Sequence, residues 1–584
     1  MKKYMSAAAA AVFSLSVVQA FGQDLNPTVE VTNSYSGKAI EAHKPMQKMA
    51  VPDSLRKFDL DFSYSVLSNP YKGGYDFSPY LLDMRPDKNA YKGHKLYFRA
   101  GAGYTLNPEL DFVYSPVLRN NSLKLNVFAY NRSYIGDYAA ISAKQDGDGY
   151  VLKKDGDAGY SGRDMLTKAG VGGRYDWKRT SVDFGAAYYG IHTKDFSLTS
   201  NYNAADIFAG IHSSPAMEKE SYFFYNAELS YRAASDGSTV HAELPRSAGP
   251  SMKNSLKTND FSFKAELGPV LDFRRRVSVE AGTDLTTYSD LFSGQKGHFY
   301  VTPRYVRSGG TVNFQAGVKF DFALKSGDRF KGIRSGHVFY PDVKFDARLI
   351  EDRLDFYASA VGGIDSNGYA DMKSGRHFFN SVYAGSPLFS DNTIEQINVS
   401  AGFRGNFASV FRYDISAGYA SLEGMALDNV MIASPVSLPG IVYEDTELIY
   451  ARLKYVLETR SILIDGSVGA VNSKLYDDGK AGIAPAPVSG DIRVKYNWNR
   501  RIYAGVYAAA SAQRKGWAEV YGTDARHEVK VPGYVDLGVE GEYAFKKNFS
   551  LWISARNLLG ANVQRSPLYV EKGVKLTAGV CINL

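Results

Sequence analysis

The chain has 584 residues, 45% hydrophobic and 14% aromatic, with a formal net charge of +7. Acidic and basic side chains are interspersed, which excludes a nucleic-acid face, and the one cysteine, Cys581, excludes an intramolecular disulfide framework. The 42 tyrosines and 55 glycines suit the aromatic girdles and closely packed walls of a transmembrane barrel.

Lys2 and Lys3 precede an apolar run over 7–18 and then the stretch VQAFGQ. Basic, apolar and small-residue segments in that order read as a secretory signal. Cleavage is expected between Gly22 and Gln23, with cleavage after Ala20 as the alternative. The run is too short and too rich in Ala and Ser to serve as a membrane anchor. Residues 1–22 are therefore read as a signal peptide, and no cysteine follows them to carry a lipid.

Residues 23–92 form a short N-terminal segment, periplasmic or lumenal. Pro27, Pro45, Pro52, Pro70, Pro79 and Pro86 are spaced to prevent long helices. Phe58, Phe62 and Tyr64 make FDLDFSYSVLSNPY too apolar for a disordered tail, so 58–80 is expected to pack inside the barrel or at its periplasmic mouth.

From about residue 93 apolar and polar side chains alternate in runs of about ten, the length of a tilted membrane strand. LYFRAGAGY sets Leu96, Phe98 and Ala100 against Tyr97, Arg99 and Gly101. NFQAGVKF, YDISAGY and YVDLGVEGEY repeat the pattern. Leu125, Phe314, Ala316, Ile415, Val539 and Ile582 are expected to face lipid. Short charged turns near Lys178, 274–276, Glu351, Glu458, Asn499 and Lys546 alternate with long loops over 133–163, 364–393, 422–444 and 513–531. Short turns at one end and long loops at the other mark an outer-membrane barrel.

The expected fold is all-β: one antiparallel transmembrane barrel over 93–584. About 22 strands are counted, a number that requires a turn near Gly237 and a strand in TVHAELPR. The first strand, near 94–104, should pair with the last, 574–584. A soluble barrel this wide could not fill its interior, and no linkers after residue 93 suggest separate sandwiches.

Inward positions carry Arg99, Arg174, Arg232, Arg404, Arg412, Arg452 and Arg493 alongside Glu280, Asp465 and Glu540. They form either a solute path of charged rings or a wall of ion pairs. The mixed signs favour the wall and assign no ion preference. In DGDGYVLKKDGD, Asp146, Asp148 and Asp157 match calcium-loop positions, but Tyr150 and Val151 stand where an oxygen ligand and a glycine belong. No paired histidine spacing, nucleophile elbow or phosphate loop is present. No catalytic residue, cofactor or metal is expected, and the chain is read as a non-enzyme. A hydrolase triad assembled across strands would leave no motif.

The chain closes on KLTAGVCINL, with Thr577, Gly579, Ile582 and Leu584 at the spacing of the sorting signal of outer-membrane barrels. It departs from that signal at the last residue, usually Phe. VPGYVDLGVEGEYAFKKNFSLWISARNLLG, with NLL at 557–559, resembles the last strands of TonB-dependent receptor barrels. YPDVKFDARLIEDRLDFYASAVGG resembles a strand–turn–strand of plugless barrels of this type from Bacteroidetes. The resemblance covers roughly 93–584. It implies a location in the outer membrane of a Gram-negative cell, solute binding or uptake, and a plug that is lacking or reduced. The implied partners are outer-membrane lipid, the barrel-assembly machinery, and a periplasmic energiser or surface lipoprotein. Thr28, Val29, Glu30, Val31 and Thr32 resemble a TonB box, which pairs with the energiser by strand addition; an ordinary extended tail fits the same residues. Two other functions fit the barrel: a scaffold or assembly partner for another envelope protein, and an embedded hydrolase.

Overall fold

The computed structural model describes residues 95–584 except 105, 117, 119–121, 214–221, 241–252, 273, 310, 352, 382–390, 409, 434–436, 524 and 572. The expected signal peptide with its Gly22–Gln23 junction, the segment 23–92 and the TonB-box-like residues Thr28, Val29, Glu30, Val31 and Thr32 lie outside the described residues.

The strands, in chain order, are β1 (Leu96–Gly103), β2 (Glu109–Tyr114), β3 (Leu123–Asp146), β4 (Gly149–Trp177), β5 (Thr180–Lys194), β6 (Leu198–Ser213), β7 (Tyr222–Val240), β8 (Lys253–Asp272), β9 (Arg275–Asp290), β10 (Gly294–Arg307), β11 (Val312–Ser326), β12 (Phe339–Ile350), β13 (Leu354–Asp365), β14 (Thr393–Phe407), β15 (Phe411–Met431), β16 (Leu438–Glu458), β17 (Ile462–Ser473), β18 (Gly482–Ile483), β19 (Val488–Trp498), β20 (Ile502–Ser511), β21 (Arg514–Glu519), β22 (Arg526–Val531), β23 (Tyr534–Lys546), β24 (Phe549–Arg556) and β25 (Lys575–Asn583). All but β18, β21 and β22 form the wall, a closed antiparallel barrel of 22 strands. β18, β21 and β22 pair among themselves in the long loops, and β22 meets β4 in parallel at Val529↔Tyr150.

Closure follows the expected seam: β1 pairs with β25 from Tyr97↔Asn583 to Gly103↔Thr577. Thr577 and Gly579 of the sorting-type ending thus sit in a paired strand, opposite Ser554 and Trp552 on β24, and Ile582 lies opposite Phe549. Leu584 donates its backbone N–H to Leu96 at 2.8 Å. Packing here depends on small residues. The Trp552 ring lies on Gly101 and Gly579, where an added Cβ would come within 2.4 Å and 2.7 Å of it. The Arg99 guanidinium lies over that ring, 3.9 Å from its centroid.

The alternation sorts the two faces. Ile415 is 50% exposed and Val539 42%, and on β25 Leu576 is exposed while its neighbours Lys575 and Thr577 are buried. Trp177, Phe407 and Trp498 are exposed near the short-turn end, the girdle position for aromatic side chains.

Some expected loops are strand. Residues 133–163 form a hairpin in which β3 and β4 pair up to Asp146↔Gly149. Over 422–444, β15 and β16 pair up to Met431↔Leu438, and 513–531 contains β21 and β22. These segments look like loops because strands that rise above the bilayer need no apolar outer face, so Gly, Ser and Asp are tolerated there. No turn forms at Gly237, which lies within β7 opposite Ser255. The inward alternation Ala234, Asp236, Ser238, Val240 carries the strand through, all four side chains being buried. Thr239 and Val240 complete β7, and the rest of TVHAELPR lies outside the described residues.

Candidate functional site

A solute crossing this barrel would meet two surfaces: the inner wall and the mouth at the long-loop end. The wall is laced with ion pairs between neighbouring strands. Arg99 lies 3.7 Å from Asp111, which also accepts from Arg132 at 2.8 Å, while Lys575 meets Glu109 at 3.1 Å. Arg174 pairs with Asp176 at 2.8 Å and approaches Asp183 at 3.9 Å. Arg232 pairs with Asp206 at 2.7 Å, Arg412 with Glu458 at 3.2 Å, and Arg493 with Asp465 at 2.7 Å. Arg404 bonds Asp346 and lies 3.7 Å from Asp355. Glu280 bonds Arg304 and lies 3.5 Å from Lys264, and Glu540 lies 3.9 Å from Lys495. The Arg452 guanidinium sits 5.5 Å from the Tyr450 ring. Most of these cations are matched by anions on the same or a nearby strand, so these residues build no ring of one sign.

The mouth is organised by the connection between β13 and β14. Its described residues include the short helix α1 (Tyr369–Gly375), followed by residues 376–381. Its sequence YADMKSGRHFFN supplies Tyr369, Ala370, Met372 and Phe379, all buried in one apolar cluster with Ile191, Tyr202, Leu256, Tyr288 and Tyr443. These partners come from β5, β6, β8, β9 and β16, so the connection packs against strands well separated around the ring.

Polar contacts fix the connection in place. Lys373 is fully buried; its ammonium donates to Ser200 Oγ at 2.8 Å and to the Phe379 carbonyl, and lies 3.9 Å from Asp236. The Tyr369 hydroxyl donates to Asp236. His377 reaches Asp164 on β4 at 2.8 Å, Ser381 meets Ser238 on β7 at 2.9 Å, and Arg376 pairs with Asp428 on β15. β4 lies nearly half-way round the ring from β13 and β14, so the connection crosses the mouth.

A second long connection, between β24 and β25, meets it. The rings of Phe378 and Tyr569 stack with centroids 4.4 Å apart. The Tyr569 hydroxyl donates to Asp195 at 2.9 Å and Gln564 to the Leu152 carbonyl at 2.9 Å. Arg514, from β21, bonds the carbonyls of Gln564 and Arg565 and lies 3.4 Å from Asp428. A further apolar cluster under β18, β21 and β22 joins Leu152, Val430, Ile483, Ala518 and Val529.

Burial sets the electrostatics of this lid. It lowers the Lys373 ammonium below the ordinary lysine range and raises the Asp195 carboxyl, despite the hydrogen bonds that the carboxylate accepts. Burial also pushes the Asp428 carboxyl up, but Arg376 and Arg514 together outweigh it and hold Asp428 below the carboxylate range.

The sequence-derived residues thus fall on the wall, and the residues that close the mouth were not among them. A signal was present: Tyr369, Met372, Phe378 and Phe379 make 364–393 too apolar for a solvated loop. Asp146, Asp148 and Asp157 stand on the β3–β4 ribbon, where Asp146 pairs with Lys530 at 3.0 Å. Among the described residues no group of three or more His, Cys, Asp or Glu side chains is placed to hold a metal ion.

No protein-family model matches the sequence, and no curated protein matches it. Solved structures do share the fold. The siderophore receptor PirA from Acinetobacter baumannii aligns over 84% of this chain and 80% of its own, with a TM-score of 0.57 at 8% identity. The copper transporter OprC aligns over 84% and 81%, with a TM-score of 0.59 at 13% identity. The FrpB iron transporter from Neisseria meningitidis, in its F5-1 variant, aligns over 84% and 81%, with a TM-score of 0.60 at 8% identity.

Proposed function

We propose that this chain is an outer-membrane uptake protein of the TonB-dependent receptor type, which admits a solute through a mouth closed by its own loops. The observation that carries this reading is the 366–381 connection, which spans the mouth and is latched to β4, β6, β7 and β15. A permanently open pore would not be crossed at its mouth by a packed apolar cluster. A receptor must bind outside and release inside, which requires a seal that solute binding or an energiser can open. The shared fold with siderophore and metal receptors supports the same reading. In this proposal 1–22 directs export, 23–92 is a reduced plug, and Thr28, Val29, Glu30, Val31 and Thr32 engage a periplasmic energiser by strand addition.

The solute class is left open, because the paired charges of the wall select neither sign. The test begins with the full chain isolated in mild detergent and the co-purifying small molecules identified by mass spectrometry. Uptake of that solute is then followed in cells with and without the chain, before and after a protonophore. The expected result is accumulation that depends on the chain and stops with the protonophore. Equal accumulation in cells lacking the chain would overturn the proposal.

A further inference from the structure

The outward face of β4, β5 and β6 carries a feature that solute uptake does not use. Val171 on β4, Phe184 and Tyr188 on β5, and Ile207 on β6 are exposed and mark the lipid belt. Above Tyr188 the outward positions turn polar. Arg163 and Lys194 stand directly opposite each other across the β4–β5 ladder, and His192 is opposite Asn201 on β6. With about 3.4 Å per residue and a tilted strand, His192 lies roughly 10 Å above Tyr188. That is the level at which an outer leaflet presents its headgroups.

Two like charges facing each other in one cross-strand pair destabilise a sheet, yet neither cation forms an ion pair among the described residues. The nearest outward carboxylate in the register, Asp137 opposite Ser161, forms none with them. Lys257 on β8, also outward, is matched by Asp290 at 3.1 Å. Arg163 is nevertheless held in place: its Nη2 donates to Asn201 Oδ1 at 3.2 Å, and His192 Nδ1 approaches that same oxygen at 3.2 Å. Below it, the Tyr188 hydroxyl donates to Asn203 at 2.6 Å, placing a ring and a second amide at the boundary between belt and headgroup. A guanidinium fixed by Asn201, beside an exposed ammonium and above an aromatic shelf, suits a phosphate whose hydrocarbon part lies in the belt.

We infer that Arg163 and Lys194, with Asn201 orienting the guanidinium, bind the phosphate of a phosphorylated glycolipid of the outer leaflet. The bound anion relieves the repulsion between the two cations and fixes one sector of the barrel against its lipid. The site depends only on the barrel standing in an outer membrane and not on what passes through it.

The test uses the full chain in dodecyl maltoside, titrated with diphosphoryl lipid A, with lipid A stripped of its phosphates, and with inorganic phosphate. Retention is read by native mass spectrometry. The expected result is retention of diphosphoryl lipid A over the stripped form, reduced about tenfold in R163Q/K194Q, which loses two charge-assisted contacts, and unchanged in K257Q. Inorganic phosphate should fail to displace the lipid. Should the double variant not fold, K194Q alone, at an exposed position, carries the same comparison. Equal retention of both lipids, equal retention by the variants, or displacement by inorganic phosphate would overturn the assignment, the last pointing to a soluble anion instead.

Discussion

The ammonium of Lys373, on the helix that crosses the barrel mouth, lies 3.9 Å from the carboxylate of Asp236 on the wall, and both side chains are fully buried. Removing one partner of such a pair leaves a buried charge without its counter-ion, at a cost of about 3–5 kcal/mol. Asp236→Ala should therefore release 369–381 while leaving the barrel intact. Hydrogen exchange should accelerate in that segment and stay slow in β1 and β25. Lys373→Met, which removes the charge and keeps the bulk, should be milder. Unchanged protection in Asp236→Ala would show that the latch holds nothing.

Asp428 gives the closure a pH dependence. Burial raises its carboxyl, but Arg376 and Arg514 hold it below the ordinary value of 3.8. A carboxyl with a depressed native pKa contributes stability that is complete above its unfolded pKa and lost as the pH falls through its folded one. Protection of 369–381 should thus weaken on acidification below about pH 3.8. Asp428→Asn should show weak protection at neutral pH and lack this acid step. Identical pH profiles for the two proteins would contradict the assignment.

At the seam, Gly101→Val should be destabilising, because its Cβ would fall 2.4 Å from the Trp552 ring. Overpacking of this kind costs roughly 1–3 kcal/mol. The double variant G101V/W552A should recover part of the loss, measured as the temperature at which the folded band is lost on a semi-native gel. No recovery would mean that Gly101 is needed for the close approach of the Ala578 carbonyl, 2.7 Å from that Cβ, and not for the ring.

The two faces of the wall should respond differently to charge. Ile415→Arg puts a cation on the lipid face and should cost about 2–4 kcal/mol near the midplane. Gln315→Arg should be mild, since Gln315 already donates to both oxygens of Asp342 at 3.0 Å. Equal shifts in a denaturant titration would reverse the facing assignment.

The wall was legible in the sequence, and the mouth was not. Period-two alternation identifies which side of a strand faces lipid, so Ile415, Val539 and the β1–β25 seam followed from local pattern alone. Strand extent above the bilayer did not, because β3–β4 and β15–β16 leave the lipid belt and lose the apolar outer face that makes alternation visible. A turn was expected near Gly237 to bring the strand count to 22, whereas the buried inward pair Asp236 and Ser238 continues β7 to reach the lid. Contacts such as Lys373 with Ser200 or Phe378 with Tyr569 join residues far apart in sequence across the ring. Alternation carries no information about which inward side chains meet.

In the proposed function the 366–381 connection seals the mouth at the long-loop end. Ser238 and Ser381 are buried with their Oγ atoms 2.9 Å apart, so S238C/S381C should form a disulfide that locks the connection to the wall. The native Cys581 is buried in β25 and does not compete. The decisive measurement is planar-bilayer conductance of this variant after deletion of 23–82, so that only the loops can close the barrel. The expected result is little conductance when oxidised, intermittent openings after reduction, and a large steady conductance when 369–381 is also deleted. An oxidised, locked barrel that conducts as well as the loop-deleted one would contradict it.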